Sequence, residues 1–237
     1  MNAVLREFRL DRPAGNFVVG DELPGRSPTW LWLHGLGSAR LGEKSTSLLA
    51  HVRARGERFL RIDLRGHGAS SGQVGAVPLS HVIDDLVHLL DQAGETIVVG
   101  TSLGGLVGAY AAALRPERVR ALVLVAPALG LMGNLPALLD RDGCLTTSNG
   151  IRFPVMADVL ADALRLDERG LPQRVAVPTL LVHGTADEVI PHRASERFFA
   201  AIPHPHKQLW LVPGGDHRLA EAAPQIWPRI DAMLASA

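Results

Sequence analysis

Short apolar runs alternate with helix-like segments along most of the chain. The runs are rich in Val, Leu and Ile and mostly apolar on both faces, as expected of strands in a sheet covered by helices. They are Thr29–His34, Phe59–Asp63, Thr96–Gly100, Val119–Ala126, Thr179–His183 and Gln208–Val212. The helix-like segments are Gly42–Arg55, Leu79–Gln92, Gly104–Leu114, His192–Ala200 and Ala222–Leu234. This alternation predicts an α/β fold with a mostly parallel, doubly wound sheet. The less regular start, Val4–Leu10 and Asn16–Val19, fits an antiparallel hairpin at one edge.

One interval, from Ala128 to about Val177, breaks this rhythm. It contains a segment with Asn149-Gly150 at its centre, a dipeptide that favours a β-hairpin, followed by a helix-like Asp158–Leu166. We therefore predict one domain over residues 1–237, with residues 128–177 forming a small cap insertion between two core strands, over the carboxyl edge of the sheet.

Length and charge narrow the class of protein. The 237 residues suit a single α/β domain, and Lys plus Arg equals Asp plus Glu at 24 each. This balance argues against nucleic acid as a partner, because phosphate binding requires an excess of basic residues. The longest apolar stretch is broken by Arg120 and Pro127 and is too short to cross a bilayer. A single cysteine, Cys144, excludes an intrachain disulfide, and the start carries no signal pattern, so we expect a cytoplasmic protein.

The pentapeptide Gly100-Thr101-Ser102-Leu103-Gly104 lies where a predicted strand ends and a helix begins. A Ser at the centre of such a tight turn is held in a strained conformation with its hydroxyl above the sheet. The following helix directs its N-terminus at the same place, which favours developing negative charge. Ser102 is therefore the candidate nucleophile.

A serine hydroxyl needs a base to take its proton, and the chain has ten histidines that could serve as that base. His217 follows the last predicted strand at the edge that also carries Ser102, whereas most of the others fall on helices or in surface turns. Asp187 follows the preceding strand at the same edge and is the candidate for orienting the imidazole. The chain order Ser, Asp, His distinguishes this fold from other triad proteins. His34 and His183 end strands next to glycines and could support the site.

Backbone N–H groups for an oxyanion are expected in His34-Gly35-Leu36-Gly37 and just after the nucleophile. The candidate donors are the N–H groups of Leu36 and Leu103.

These motifs, together with Asp63–Ser70 (DLRGHGAS), stand in the order and approximate spacing of the α/β-hydrolase superfamily, over about residues 29–234. The chain resembles small serine carboxylesterases and acyl-protein thioesterases, including the ABHD10-like depalmitoylating group. The resemblance implies a triad of Ser102, Asp187 and His217 with Leu36 and Leu103 as oxyanion donors, and it assigns no catalytic role to the DLRGHGAS segment. Dehalogenases and epoxide hydrolases are disfavoured because they carry Asp where this chain has Ser102.

We expect a serine carboxylesterase (a carboxylic ester hydrolase) that acts on short- to medium-chain acyl esters through an acyl-enzyme, without metal or organic cofactor. The partner is then a small-molecule ester or thioester; the oligomeric state is not predicted. Candidate substrate contacts are Leu129, Met132, Met156 and Val189. The alternatives are an acyl thioesterase, a carbon–carbon bond hydrolase or lyase using the same triad, and a non-catalytic binding protein of the same fold.

Overall fold

In the computed structural model, which describes residues 4–236, ten strands and eight α-helices follow one another along the chain. The strands are β1 (Arg6–Asp11), β2 (Phe17–Leu23), β3 (Arg26–Leu33), β4 (Glu57–Ile62), β5 (Thr96–Thr101), β6 (Val119–Val125), β7 (Cys144–Thr146), β8 (Arg152–Pro154), β9 (Thr179–Gly184) and β10 (Lys207–Val212). The helices are α1 (Glu43–Ala54), α2 (Leu79–Ala93), α3 (Leu103–Leu114), α4 (Leu135–Leu138), α5 (Ala157–Arg165), α6 (Leu171–Arg174), α7 (His192–Ala201) and α8 (Ala223–Ala235).

Eight strands form one sheet in the order β1-β2-β4-β3-β5-β6-β9-β10. From β4 to β10 neighbouring strands are parallel, whereas β1 and β2 pair antiparallel at the edge, and β2 joins β4 antiparallel. The predicted parallel sheet and edge hairpin are thus confirmed. Because the central strands run the same way, the loops after β3, β5, β9 and β10 meet at one edge.

The two faces of the sheet pack into two separate hydrophobic cores, and β3 shows how the sequence divides them. Trp30 and Trp32 point to the core shared with α1 and α8, whereas Leu31 and Leu33 point to the core shared with α2, α3 and α7. Side chains alternate across a strand, so a run that is apolar at every position is buried on both sides. The continuous apolar runs of the sequence are explained by these two cores.

The predicted elements differ from the structure mainly at their ends. Strand β3 begins at Arg26, three residues before the predicted Thr29, and the pairing with β4 shifts register between these two residues. The polar residues that precede Thr29 do not carry the hydrophobic pattern of a buried strand, although backbone pairing continues through them. Within residues 4–236, no helix is both long enough and apolar enough to cross a membrane.

The chain between β6 and β9 carries small elements outside the main sheet. It contains the short helix α4, the antiparallel ribbon of β7 and β8 with Asn149-Gly150 at its tip, and helices α5 and α6. Asp162 of α5 accepts hydrogen bonds from the Ser80 N–H (2.9 Å) and hydroxyl (2.6 Å) of α2. Residues 126–178, hereafter the cap, are therefore joined to the core by polar contacts as well as by packing.

Candidate active site

Ser102 lies in a sharp turn between β5 and α3, with φ 50° and ψ −118°. Its N–H donates to the Val125 carbonyl at 3.0 Å, and its own carbonyl accepts the Ala128 N–H at 2.9 Å, so the end of β6 and the residues after it hold the strained turn in place. Small residues are required on both sides: a Cβ at Gly100 would collide with the Gly104 carbonyl, and one at Gly104 with the Leu33 carbonyl.

His217 and Asp187 come together from the loops after β10 and β9. The Asp187 Oδ2 lies 2.7 Å from the His217 Nδ1, and the carboxylate is buried while the imidazole is 12 % exposed. A carboxylate can only accept, so Nδ1 carries the proton, and the lone pair of Nε2 is left as a base. Asp216, adjacent in sequence, instead accepts the Leu219 N–H at 2.9 Å.

Both oxygens of the Asp187 carboxylate accept hydrogen bonds. Its Oδ1 accepts the N–H groups of Val189 (2.8 Å) and Ile190 (2.9 Å), and its Oδ2 accepts a second imidazole, the His183 Nε2 at 2.9 Å. Burial acts to raise the pKa of Asp187, but hydrogen bonds from His183, His217 and Ile190 outweigh it and keep the pKa below its ordinary value. Asp187 is therefore ionised at neutral pH.

His183 is fully buried behind Asp187 and is itself anchored. Since its Nε2 donates to the carboxylate, its Nδ1 accepts the Ser195 hydroxyl at 2.7 Å, from the first turns of α7. A chain of hydrogen bonds thus runs from Ser195 through His183 and Asp187 to His217. In the sequence, only the position of His183 at a strand end, beside a glycine, indicates that it supports the site.

The loop after β3 passes close to Ser102, with Gly35 directly against it: a Cβ on Gly35 would lie 3.1 Å from the Ser102 Cβ. Within residues 4–236, neither the Leu36 N–H nor the Leu103 N–H donates a hydrogen bond to another residue. Both candidate oxyanion donors therefore lack an acceptor within this part of the chain.

Two histidines and one cap residue fix the conformation of this loop. His34 donates from Nδ1 to the Gly35 carbonyl (2.8 Å) and accepts the Leu64 N–H at Nε2 (3.0 Å). His67 Nε2 accepts the Gly37 N–H (3.1 Å), and the Asn149 amide donates to the Gly37 carbonyl (3.1 Å). His67, from the DLRGHGAS segment, thus supports the loop from the core side and Asn149 from the cap side.

Ser102 and His217 line one open cleft of about 770 Å³. Of the four residues predicted to contact substrate, Val189 lines this cleft and is 44 % exposed. Leu129 lines a different cavity of about 720 Å³ beside α7, and Met156 is 50 % exposed on the cap. Sequence position alone therefore grouped residues that the fold separates.

The fourth, Met132, lines an apolar cavity of about 100 Å³ under the cap. The core wall of this cavity includes Leu36 and Leu103, and the cap wall includes Phe153 and Val159. Sequence reasoning missed this cavity, because it forms where the cap packs on Leu36, on the segment between β4 and α2, and on α2 itself.

This fold and site define the chain as an α/β hydrolase. It belongs to the serine aminopeptidase S33 family, whose model matches residues 29–141 and 145–221. The chain is 29 % identical over 215 residues to the mitochondrial palmitoyl-protein thioesterase ABHD10 of Mus musculus, covering 85 % of this chain and 72 % of that protein. The structure of mouse ABHD10 superposes with a TM-score of 0.83 at 26 % identity, covering 98 % of this chain and 99 % of that one. Est1E from Butyrivibrio proteoclasticus, solved with ferulic acid, shares the fold at a TM-score of 0.79 and 20 % identity, covering 95 % and 99 %.

Proposed function

We propose that this hydrolase is a serine carboxylic ester hydrolase with Ser102 as nucleophile, His217 as general base and Asp187 as the group that orients the base. One observation carries the proposal: a serine in a strained turn and a histidine paired with a buried carboxylate line the same cleft. Strain at a serine is expected at a nucleophile, because it presents the hydroxyl to the substrate.

In the acylation step, the Ser102 Oγ attacks the carbonyl carbon while the His217 Nε2 takes its proton. The carbonyl oxygen becomes an oxyanion, and the N–H groups of Leu36 and Leu103 bind it. His217 then gives the proton to the leaving oxygen or sulfur, so that an alcohol or thiol departs and the acyl group stays on Ser102. Water repeats these steps with the acyl-enzyme, releasing the carboxylic acid and the free serine.

A thioester is the second candidate substrate, because the curated relative named above is a palmitoyl-protein thioesterase. The same machinery serves both classes, since the oxyanion and the proton transfers are alike and only the leaving atom differs. Among oxygen esters, we propose short- to medium-chain acyl groups, in keeping with the small volume of the apolar cavity beside Leu36.

The test is hydrolysis of matched p-nitrophenyl esters and acyl thioesters, together with labelling by a fluorophosphonate and mapping of the labelled peptide. Wild-type protein should cleave at least one class and carry the label on Ser102. Ser102→Ala should lower kcat by a factor on the order of 10⁴ or more and abolish labelling. Cleavage by Ser102→Ala at the wild-type rate would refute the assignment of the nucleophile.

The carboxylate assignment has a matched control in the loop after β10, where Asp216 precedes His217. Asp187→Asn should lower kcat by roughly 10⁴-fold, because the histidine loses the partner that fixes its tautomer. Asp216→Asn should stay near wild type, since the remaining amide oxygen can still accept the Leu219 N–H. The reverse result would move the role of the acid to Asp216.

A further inference from the structure

We infer that Lys44 is a positioning residue for the candidate base, because it holds the backbone that directly follows His217. Lys44 lies in the first turn of α1, and its Nζ donates a hydrogen bond of 2.6 Å to the Arg218 carbonyl. This inference rests on the proposed function, in which His217 takes the proton from Ser102 and passes it to the leaving atom.

The turn after His217 is strained, so its conformation depends on the contacts around it. Leu219 has φ 48°, in the left-handed region that residues other than glycine seldom adopt. The peptide unit between Arg218 and Leu219 is held at both ends: its carbonyl accepts from the Lys44 Nζ, and its N–H donates to the Asp216 Oδ1 at 2.9 Å. The Leu219 side chain is buried in the core shared with α1 and α8. Lys44 thus provides one of the contacts that hold this turn.

The environment of Lys44 differs from that of an ordinary solvated lysine. Burial lowers the pKa of Lys44, and the positive charge of Arg218 acts in the same direction, whereas Asp216 and Glu43 act to raise it. A lysine amine is withdrawn from water at a cost unless it finds an acceptor, and the Arg218 carbonyl is that acceptor. The ammonium and the neutral amine both carry N–H groups, so Lys44 can donate to this carbonyl in either state.

Lys44 also connects two sides of the cleft. It follows the loop after β3, which carries the candidate oxyanion donor Leu36, whereas Arg218 belongs to the loop after β10. Both Lys44 and Arg218 line the cleft of Ser102. Loss of their hydrogen bond should therefore let His217 move relative to Ser102 without disturbing the sheet.

The other lysine of the chain, Lys207, offers a matched control. Its Nζ donates to the Phe199 (2.9 Å) and Ile202 (2.6 Å) carbonyls at the end of α7, and it does not line the cleft. The two lysines make hydrogen bonds of the same kind, but only Lys44 makes its bond beside the candidate base.

Lys44→Met keeps the length of the side chain and removes the donor. Since a misplacement of about 1 Å can cost roughly 10²-fold and the Asp216 contact remains, kcat for a p-nitrophenyl ester should fall about tenfold with KM unchanged. The rate of fluorophosphonate labelling at Ser102 should fall by the same factor, because that reaction also needs the base. Lys44→Arg keeps a donor and should restore kcat to within about threefold of wild type. Lys207→Met should lower Tm and keep the wild-type kcat.

Chemical rescue separates positioning from a general loss of stability. Lys44→Ala removes the side chain beyond Cβ, and n-propylammonium supplies the missing methylenes and amine. This amine should raise kcat of Lys44→Ala severalfold and saturably, whereas sodium chloride at the same ionic strength should not. Lys207→Ala should not respond to the amine in kcat.

Three results would overturn the inference while the proposed function stands. They are a wild-type kcat and labelling rate in folded Lys44→Met, a raised KM with kcat unchanged in that variant, or equal losses of kcat in Lys44→Met and Lys207→Met with no rescue of Lys44→Ala. If wild-type protein neither hydrolyses any ester or thioester nor is labelled at Ser102, the proposed function itself fails.

Discussion

His183 should be a positioning residue for the candidate triad, although it is buried and does not line the cleft of Ser102. It is fully buried, and it makes polar contacts with Ser195 (2.7 Å), Asp187 (2.9 Å) and the Ile190 carbonyl (3.0 Å). His183→Phe keeps a ring of similar size and removes all three contacts. The change therefore tests whether Asp187 depends on support from behind.

The expected loss of stability follows from two of these contacts. The charge-assisted hydrogen bond to Asp187 contributes about 1.5–3 kcal/mol, and the stranded hydroxyl of Ser195 adds about 1–3 kcal/mol. His183→Phe should therefore reduce the free energy of unfolding by about 3–5 kcal/mol, measured by urea denaturation. In His183→Phe/Ser195→Ala the stranded hydroxyl is absent, so the double variant should be more stable than the sum of the single losses predicts.

The effect on catalysis should be smaller than that of changing Asp187 itself. The Asp187 Oδ1 remains held by the N–H groups of Val189 and Ile190, so only the direction of Oδ2 is loosened. We expect kcat for a p-nitrophenyl ester to fall about tenfold with KM unchanged, against roughly 10⁴-fold for Asp187→Asn. Wild-type stability and kcat in His183→Phe would refute the reasoning. A loss as large as that of Asp187→Asn would show that His183 acts in the reaction directly.

Two further predictions concern the loop that follows β3. Burial lowers the pKa of His34 from 6.5 to about 4, so stability is complete above pH 6.5 and falls by up to about 3 kcal/mol as the pH drops towards 4. Urea denaturation between pH 7.5 and 4.5 should show a shallower decline for His34→Gln than for wild type, and equal slopes would contradict the assignment. Asn149→Ala should lower kcat about threefold to tenfold, with little change in KM, because the Gly37 carbonyl loses its support from the cap. Ile151→Ala, an exposed change in the same hairpin, is the control and should keep the wild-type kcat.

Most of the sheet and the order of the motifs could be predicted from sequence because they depend on local periodicity. A run such as that of β5 is apolar on both faces only if both sides are covered, which already implies flanking helices. Parallel strands then bring their carboxyl ends to one edge, so Ser102, Asp187 and His217 could be grouped without coordinates. Asn149-Gly150 likewise indicated the β7–β8 hairpin of the cap through its turn preference alone.

Contacts between the tips of loops could not be predicted in this way. Asn149 donates a hydrogen bond to Gly37, which lies 112 positions away in the chain. A periodic pattern of apolar residues does not predict which part of the fold the tip of a hairpin contacts. The candidate substrate contacts are predicted from their nearness to the motifs in the sequence. This criterion groups Leu129 with Met132, although the two residues line different cavities. The role of His183 was hidden for the same reason, since its partners are set by how the loop after β9 folds back on the strand.

If the proposed function is correct, the reaction and the substrate preference should depend on different parts of this chain. The groups proposed for the chemistry come from loops at the carboxyl edge of the core sheet, and each is fixed by a short motif that the fold requires. The far wall of the apolar cavity beside Leu36 comes from cap residues such as Phe153 and Val159, which belong to none of the sequence motifs. A change there alters the volume open to an acyl chain and leaves the Asp187–His217 pair untouched. Chain-length preference should accordingly follow the cap sequence, whereas the ability to cleave an ester should follow the core loops.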